Sequence, residues 1–397
     1  MKVALVCDWL TNVGGAEKVL LELHRMYPKA PIYTSKYSPK GIDWFDKADV
    51  RTGWLQIFPT CLRRMLGPLR QCYFSHLDLS EYDLIISVTG AEAKSVKSGK
   101  WLHKAGKHNV KNPDGIHISY CHVPTQYYWQ MYDTYVKNPG FGILNPLVRF
   151  FFKLLVKPLR KADYKAAGRP DYFVTISEYA KEQIVKYYDR EAVVIHPPVE
   201  INDFKIKSTK SQEKQGNNNS EKSQICGDEV VENYFVVTSR QVNWKRLDLA
   251  IKACEMTKNR LLVIGEGPEH DNLVRLASGS ELVKFLPLMK KAELCSYLAK
   301  AKGYLFPSLE PFGIAPVEAL AAGCPVIAYG KGGALDYVID GKNGVLFDKQ
   351  TVGSLVDAIL RFEKMRFKRD EVTKSAAKFD LERFDEEIRE FVDEKTK

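Results

Sequence analysis

Short apolar runs rich in β-branched residues recur along the chain, and between them apolar positions return every three to four residues. The short runs predict strands and the longer period predicts amphipathic helices. Strands are expected at 3–7, 84–88, 116–120, 172–176 and 192–195, then at 234–238, 260–264, 303–306, 325–328 and 344–347. Helical patterns follow several of them, at 16–26, 178–188, 246–254 and 352–364. Alternating strands and helices imply a parallel sheet covered on both faces. Two such series predict an α/β protein of two doubly wound, Rossmann-like domains. The boundary is expected at His196-Pro197-Pro198-Val199-Glu200, because consecutive prolines suit neither a helix nor a central strand. The expected division is 1–198 and 199–379, with a last helix at about 380–397. Residues 205–228, rich in Lys, Ser, Gln, Asn and Glu, read as a disordered surface loop.

Composition narrows the class. With 397 residues, 45% of them hydrophobic and 27% charged, the chain is too long for one compact core and too apolar for wholesale disorder. Net charge is +10, and residues 1–200 carry +9 of it, with 28 Lys+Arg against 19 Asp+Glu. Such asymmetry points to a polyanion. One basic stretch is Lys94, Lys97, Lys100, Lys104, Lys107 and Lys111; another, 144–169, interleaves Arg and Lys with Phe150, Phe151, Phe152, Leu154 and Leu155. The second is too often interrupted by charge to span a bilayer and suits a segment lying in a membrane interface, or an amphipathic helix packed on its own domain. The start of the chain does not read as a signal peptide, and eight scattered cysteines without a CxxC read as reduced thiols of a cytoplasmic protein.

In open α/β sheets, ligands collect at the carboxyl ends of the strands. The first strand leads to Gly14-Gly15 and a helix, where paired glycines let backbone amides approach a phosphate or a sugar. More informative is the run from Ser308 to Ile327. Pro316 is expected as the first helical residue, which sets the amides of Gly313, Ile314 and Ala315 at a helix N-terminus able to hold a diphosphate. Glu310 in the approach loop and Glu318 in the helix make sense as acceptors for sugar hydroxyls at the two ends of a nucleotide sugar.

Glu310 and Glu318, with seven residues between, resemble the EX7E signature of retaining glycosyltransferases of the GT-B fold. The run 310–327 is similar to glycosyltransferase family 4 nearly throughout. Gly14-Gly15, Ser239-Arg240 with Lys245-Arg246, Val263-Ile264-Gly265-Glu266-Gly267-Pro268 and Ala328-Tyr329-Gly330-Lys331-Gly332-Gly333 match further pieces in order. The segment 120–129 looks closest to bacterial O-antigen and exopolysaccharide mannosyltransferases. The resemblance implies two domains facing each other across a cleft and transfer of mannose, with retention, from GDP-mannose to a lipid-linked or growing polysaccharide. It implies that Arg240 and Lys245 hold the donor diphosphate, Glu318 the ribose, and Glu310 the transferred sugar, with Gly265, Phe312, Gly313, Ile314 and Ala315 in the donor site. It places His122 near the reacting sugar or acceptor. Tyr127, Tyr128, Trp129 and Tyr132 are an expected stacking platform for the acceptor, or ordinary packing. There is no DxD, so no cofactor and no metal-bridged donor site are expected; cationic side chains and a helix N-terminus can replace the ion. The alternatives are a UDP-sugar donor or an inactive scaffold subunit of the same fold. Nucleic-acid binding is suggested by charge alone and is supported by no motif.

Overall fold

The computed structural model describes residues 1–60, 66–137, 139, 142–204 and 232–397. The expected loop 205–228 lies outside the described residues. The chain divides into two units, Met1–Pro198 with Phe384–Lys397, and Val199–Arg383.

In the first unit β1 (Val3–Cys7), β2 (Ile32–Thr34), β3 (Val50–Arg51), β4 (Leu84–Thr89), β5 (Ile116–Cys121), β6 (Tyr172–Thr175) and β7 (Val193–Val194) form one parallel sheet, ordered β3-β2-β1-β4-β5-β6-β7. In the second, β8 (Tyr234–Thr238), β9 (Arg260–Ile264), β10 (Val283–Leu286), β11 (Gly303–Phe306), β12 (Val326–Tyr329) and β13 (Gly344–Phe347) form another, ordered β10-β9-β8-β11-β12-β13. Every residue of β1, β4, β5, β11 and β12 is buried, which is why β1, β11 and β12 read as unbroken apolar runs, while β4 and β5 also bury Ser87, Thr89, His117 and Ser119. Strands β3 and β10 sit at sheet edges and are short or half-exposed, so their runs gave no signal, and the short β2 was missed with them. Two expected boundaries move for local reasons. Arg246 takes a left-handed backbone, φ 53°, so the helix expected from 246 begins at Leu247. Pro316, expected as the first helical residue, is the third of Ile314–Ala321.

The core of the second unit joins Phe235, Leu261, Leu305, Ile327 and Val345 from five strands to Leu355, Ile359 and Phe362 of the helix Val352–Glu363. That helix lays one apolar stripe on the sheet, as its spacing requires. The last helix, Leu381–Thr396, buries Phe384, Ile388, Phe391 and Val392. Phe384 meets the edge of Tyr120, with centroids 6.0 Å apart, and Phe391 meets Tyr172 at 6.2 Å.

The first unit is held from within by buried charge. Lys94, counted above in a basic stretch, is 1% exposed and ion-paired with Asp163 at 2.6 Å. Asp163 also accepts hydrogen bonds from Thr125 Oγ1 (2.8 Å), Trp129 Nε1 (2.7 Å) and Tyr188 Oη (2.8 Å). A second buried pair joins Arg70 to Glu92 at 2.9 Å. Asp8, at the end of β1, accepts from Thr89 Oγ1 and the amides of Gly90 and Ala93, tying β1 to the turn after β4. The described cysteines, Cys7, Cys72, Cys121, Cys254, Cys295 and Cys324, are all free.

Removing one partner of a satisfied buried pair leaves the other charge uncompensated. Asp163→Ala is therefore expected to cost about 3–5 kcal/mol, read as a shift of the urea midpoint. His117 is fully buried, with Nε2 2.8 Å from Ser87 Oγ, and burial, with the cations Arg169 and Arg190, pushes its pKa down to about 3. Folded His117 stays neutral where the unfolded chain takes up a proton, so its contribution is complete above about pH 6.5 and is lost as pH falls from there. The loss reaches up to about 2 kcal/mol between pH 6.5 and 5. In urea titrations at those two pH values, His117→Asn should show the smaller pH dependence.

Candidate functional site

The second sheet reverses its order between β8 and β11, and that reversal is where a crevice opens. The two strands pair only at Gly303↔Phe235 and Tyr304↔Val236. Beyond this the Tyr304 hydroxyl takes over: it accepts from the Thr238 amide at 3.2 Å and donates to the Thr238 carbonyl at 2.9 Å. The buried phenol satisfies backbone groups that the ladder leaves open. The crevice is lined by Thr238 at the end of β8, Ser239 and Lys245 beyond it, and Ser308, Glu310, Gly313, Ile314 and Ala315 after β11.

Lys245 closes the turn Asn243–Lys245 and donates from Nζ to Glu310 Oε1 at 2.5 Å. Ser308 Oγ donates to the same oxygen at 2.7 Å. The Glu310 backbone is fixed separately, its carbonyl accepting from the Gly333 amide at 2.9 Å. Both side chains of the pair remain about one-fifth exposed, 22% and 18%, so a ligand can reach them. Gly313 caps the helix Ile314–Ala321 with φ 95° and no side-chain cap. A Cβ there would lie 2.6 Å from the Phe306 ring, so only glycine lets the chain turn so sharply into the crevice. Helix amides, one ammonium and one carboxylate converge on one small volume, a set suited to a diphosphate beside a hydroxyl-bearing group.

The loop after β8 is braced from behind. Gln241 is buried, its amide donates to the Glu266 carbonyl at 2.8 Å, and its side chain donates to the Gly265 carbonyl at 2.5 Å. Gly265 has φ 122°, and a Cβ would sit 2.3 Å from the Ser239 carbonyl oxygen, so this glycine presses on the loop from below. Arg240 is exposed at the same strand end and does not line the crevice. Glu318 is half-buried further along the helix, and Phe312 is buried against Tyr337 and Phe379; neither lines the crevice. Sequence reasoning missed Tyr304, Gln241 and Ser308. For Ser308 a signal existed, a hydroxyl two positions before Glu310; a tyrosine inside an apolar strand gives none.

The remaining expected residues belong to the first unit. Gly14 is extended, φ −162°, and caps the helix Gly15–Met26. A Cβ on it would lie 2.7 Å from the Glu17 carboxylate, and an acid at that helix end favours a hydroxyl donor over a phosphate. His122 follows β5, its amide donating to the Thr89 carbonyl at 2.8 Å. Its Nε2 is shielded from solvent with no partner among the described residues, and burial pushes the ring's pKa down to about 4. The expected aromatic platform is engaged in packing. Of the two readings of this segment, packing holds for Tyr128, which is 3% exposed and offers no face for a sugar to stack on. Tyr127 hydrogen-bonds Glu92, and Trp129 stacks on Tyr187, with centroids 5.0 Å apart. Among the described residues no group of three or more His, Cys, Asp or Glu could hold a metal ion.

Solved structures match over the whole chain: the HepE protein of Anabaena in complex with UDP (TM-score 0.68, 19% identity, 99% of this chain and 100% of that one) and the apo lipopolysaccharide outer core galactosyltransferase WaaB (TM-score 0.68, 15% identity, 100% of each). The fold is therefore GT-B, built on two Rossmann-like α/β domains. Residues 219–379 match the family of glycosyl transferases group 1, a stretch that includes the crevice. Among sequence relatives, a D-inositol 3-phosphate glycosyltransferase of Mycolicibacterium smegmatis is 28% identical over 216 residues, 51% of this chain and 48% of that one. A GDP-mannose-dependent phosphatidylinositol monomannoside mannosyltransferase of the same organism is 33% identical over 140 residues, 31% of this chain and 37% of that one. The chain spans about half the length, or less, of these relatives.

If Lys245 meets the ligand's phosphates, Lys245→Met should weaken nucleoside-diphosphate binding about ten- to a hundredfold, the loss of one charge-assisted contact. The urea midpoint should stay within about 0.5 kcal/mol of the parent, as for other part-exposed positions. Calorimetric titration and an unfolding curve on the same sample check both.

Proposed function

We propose that the protein is a retaining glycosyltransferase that moves mannose from GDP-mannose to a lipid-linked or growing polysaccharide acceptor. The observation that carries this is the Lys245–Glu310 pair beside an uncapped helix N-terminus in the switch-point crevice. A diphosphate is attracted by the helix end and Lys245, while Glu310 Oε1 already accepts two hydrogen bonds and offers its other oxygen to sugar hydroxyls. Similarity over 140 residues to a GDP-mannose-dependent enzyme supports the choice of donor.

In the reaction, the bond from the anomeric carbon to the diphosphate oxygen breaks and a bond to an acceptor oxygen forms on the same face. The acceptor's proton passes to the departing diphosphate. Lys245 stabilises the charge that develops there, the amides of Gly313, Ile314 and Ala315 hold the phosphates in line, and Arg240, exposed at the same strand end, adds its charge from outside the crevice. Glu318, half-buried further along the helix and outside the crevice, is assigned to the ribose, which extends beyond the diphosphate. His122, half-buried with Nε2 shielded from solvent and its pKa lowered by desolvation, is assigned to the acceptor. No metal ion is invoked, since the positive charge comes from side chains and the helix end. The reaction sits at the cytoplasmic face of a membrane, where nucleotide sugars and lipid-linked acceptors meet.

Thermal unfolding with GDP, UDP, ADP and CMP, each in EDTA, is the test. A ligand at a hundred times its dissociation constant adds about 2.7 kcal/mol. A shift with GDP alone, followed by transfer from GDP-mannose that Glu310→Gln abolishes, is the expected result. A shift with UDP alone discards mannose and keeps the residue roles. No shift with any nucleotide, or full transfer by Glu310→Gln, overturns the proposal.

A further inference from the structure

The helix Asn145–Ala166 has two faces of opposite character. Its inner face buries Val156, Asp163 and Ala166. Asp163 reaches Lys94, Arg160 donates from Nε to the Tyr128 carbonyl at 2.6 Å, and Phe152 packs against Tyr132. These contacts fix the helix on its own unit. Its outer face is unusual for a helix so held. Leu147, Phe150 and Leu154 are 55%, 63% and 62% exposed, and Phe151 and Leu155 flank them at 49% and 43%. Positions 147, 150, 151, 154 and 155 follow the three- and four-residue spacing of one helical stripe.

The polar residues of that outer face are ordered too. Lys153, Lys157, Lys161 and Lys165 recur every fourth position, all are exposed, and none has an ion-pair partner among the described residues. Three of the four lie beyond the last exposed leucine. The face therefore runs from apolar in its first half to cationic in its second, with Tyr164, 49% exposed, at the cationic end. No helix of the described residues is long and apolar enough to cross a membrane.

We infer that this outer face seats on a lipid bilayer surface carrying anionic headgroups, with Leu147, Phe150, Phe151 and Leu154 entering the acyl boundary and the lysine row lying among the headgroups. Charge complementarity selects this occupant. A second copy of the chain would bring the lysine row towards another basic surface, since residues 1–200 carry a net +9. A fluid acyl layer also needs no matching contour for a convex, wholly apolar stripe, whereas a folded partner would need one. The helix is already ordered by Asp163 and Arg160, so docking does not carry the cost of folding it. The inference does not depend on the donor reading, although a lipid-linked acceptor would be presented at the same surface.

The experiment is flotation of the full chain with vesicles of phosphatidylcholine alone, and with vesicles containing about 30% phosphatidylglycerol, at low and high salt. Expected is binding at least about tenfold tighter to the anionic vesicles, weakened by salt. The double variant Phe150→Glu with Leu154→Glu should lose at least about tenfold on anionic vesicles, and Lys157→Glu with Lys161→Glu should lose the anionic preference. Unchanged urea midpoints, and unchanged response to nucleotide where the parent shows one, separate loss of docking from loss of fold or of the donor site. Three outcomes overturn the inference: no binding by the parent chain, equal binding by parent and Phe150→Glu/Leu154→Glu, or a parent dimer in light scattering that this variant converts to monomer without any vesicle binding.

Discussion

The candidate site depends on one local constraint, the early parting of β8 and β11. Parallel strands normally pair along their length, and here the ladder ends after Tyr304↔Val236. The Tyr304 hydroxyl, bonded to both the amide and the carbonyl of Thr238, lets the backbones separate without leaving polar groups unpaired. The groups that line the crevice stand on the two strand ends that diverge there. Lys245 rides on the loop leaving β8, and Glu310 with the Gly313 cap rides on the loop leaving β11. Their ion pair spans the gap that the tyrosine props open.

The two units are built on the same topology and held together by different means. The second relies on a broad apolar core and on backbone contacts that brace its loops, such as Gln241 against the Gly265–Glu266 turn. The first places ionised groups in its interior, where Lys94–Asp163 and Arg70–Glu92 are each almost fully buried. Such pairs are poor sources of net stability but exacting about geometry, because any slip strands a charge away from water. Asp163 illustrates the consequence. Four donors meet it, from the turn after β4, the segment after β5 and the helix Glu178–Tyr188, so the aromatic segment 125–129 is fixed by the long basic helix. That link explains why the helix keeps an apolar outer face without needing it for its own attachment.

Much of the architecture was legible in the sequence because strands buried on both faces leave an unmistakable apolar run. β1, β8, β9, β11 and β13 fall where the pattern set them, and the glutamates of the segment 310–318 stand out through the helix start between them. Edge strands β3 and β10 were not legible, since half-exposed edges need little hydrophobicity. Sequence alone set the order of elements, the glycines at the turns and the chemical types gathered after β8 and β11. Only tertiary structure decided which charges face solvent. Lys94 and Lys97 look alike in the chain, yet one is buried on a carboxylate and the other is not, because Asp163, 69 positions away from Lys94, is brought to it by packing. It also decided that Tyr128 is core, that Arg246 opens its helix from a left-handed turn, and that Lys245 meets Glu310 across 65 residues of chain. Contacts between residues distant in sequence are fixed by the packing of whole sheets, and no local pattern encodes them.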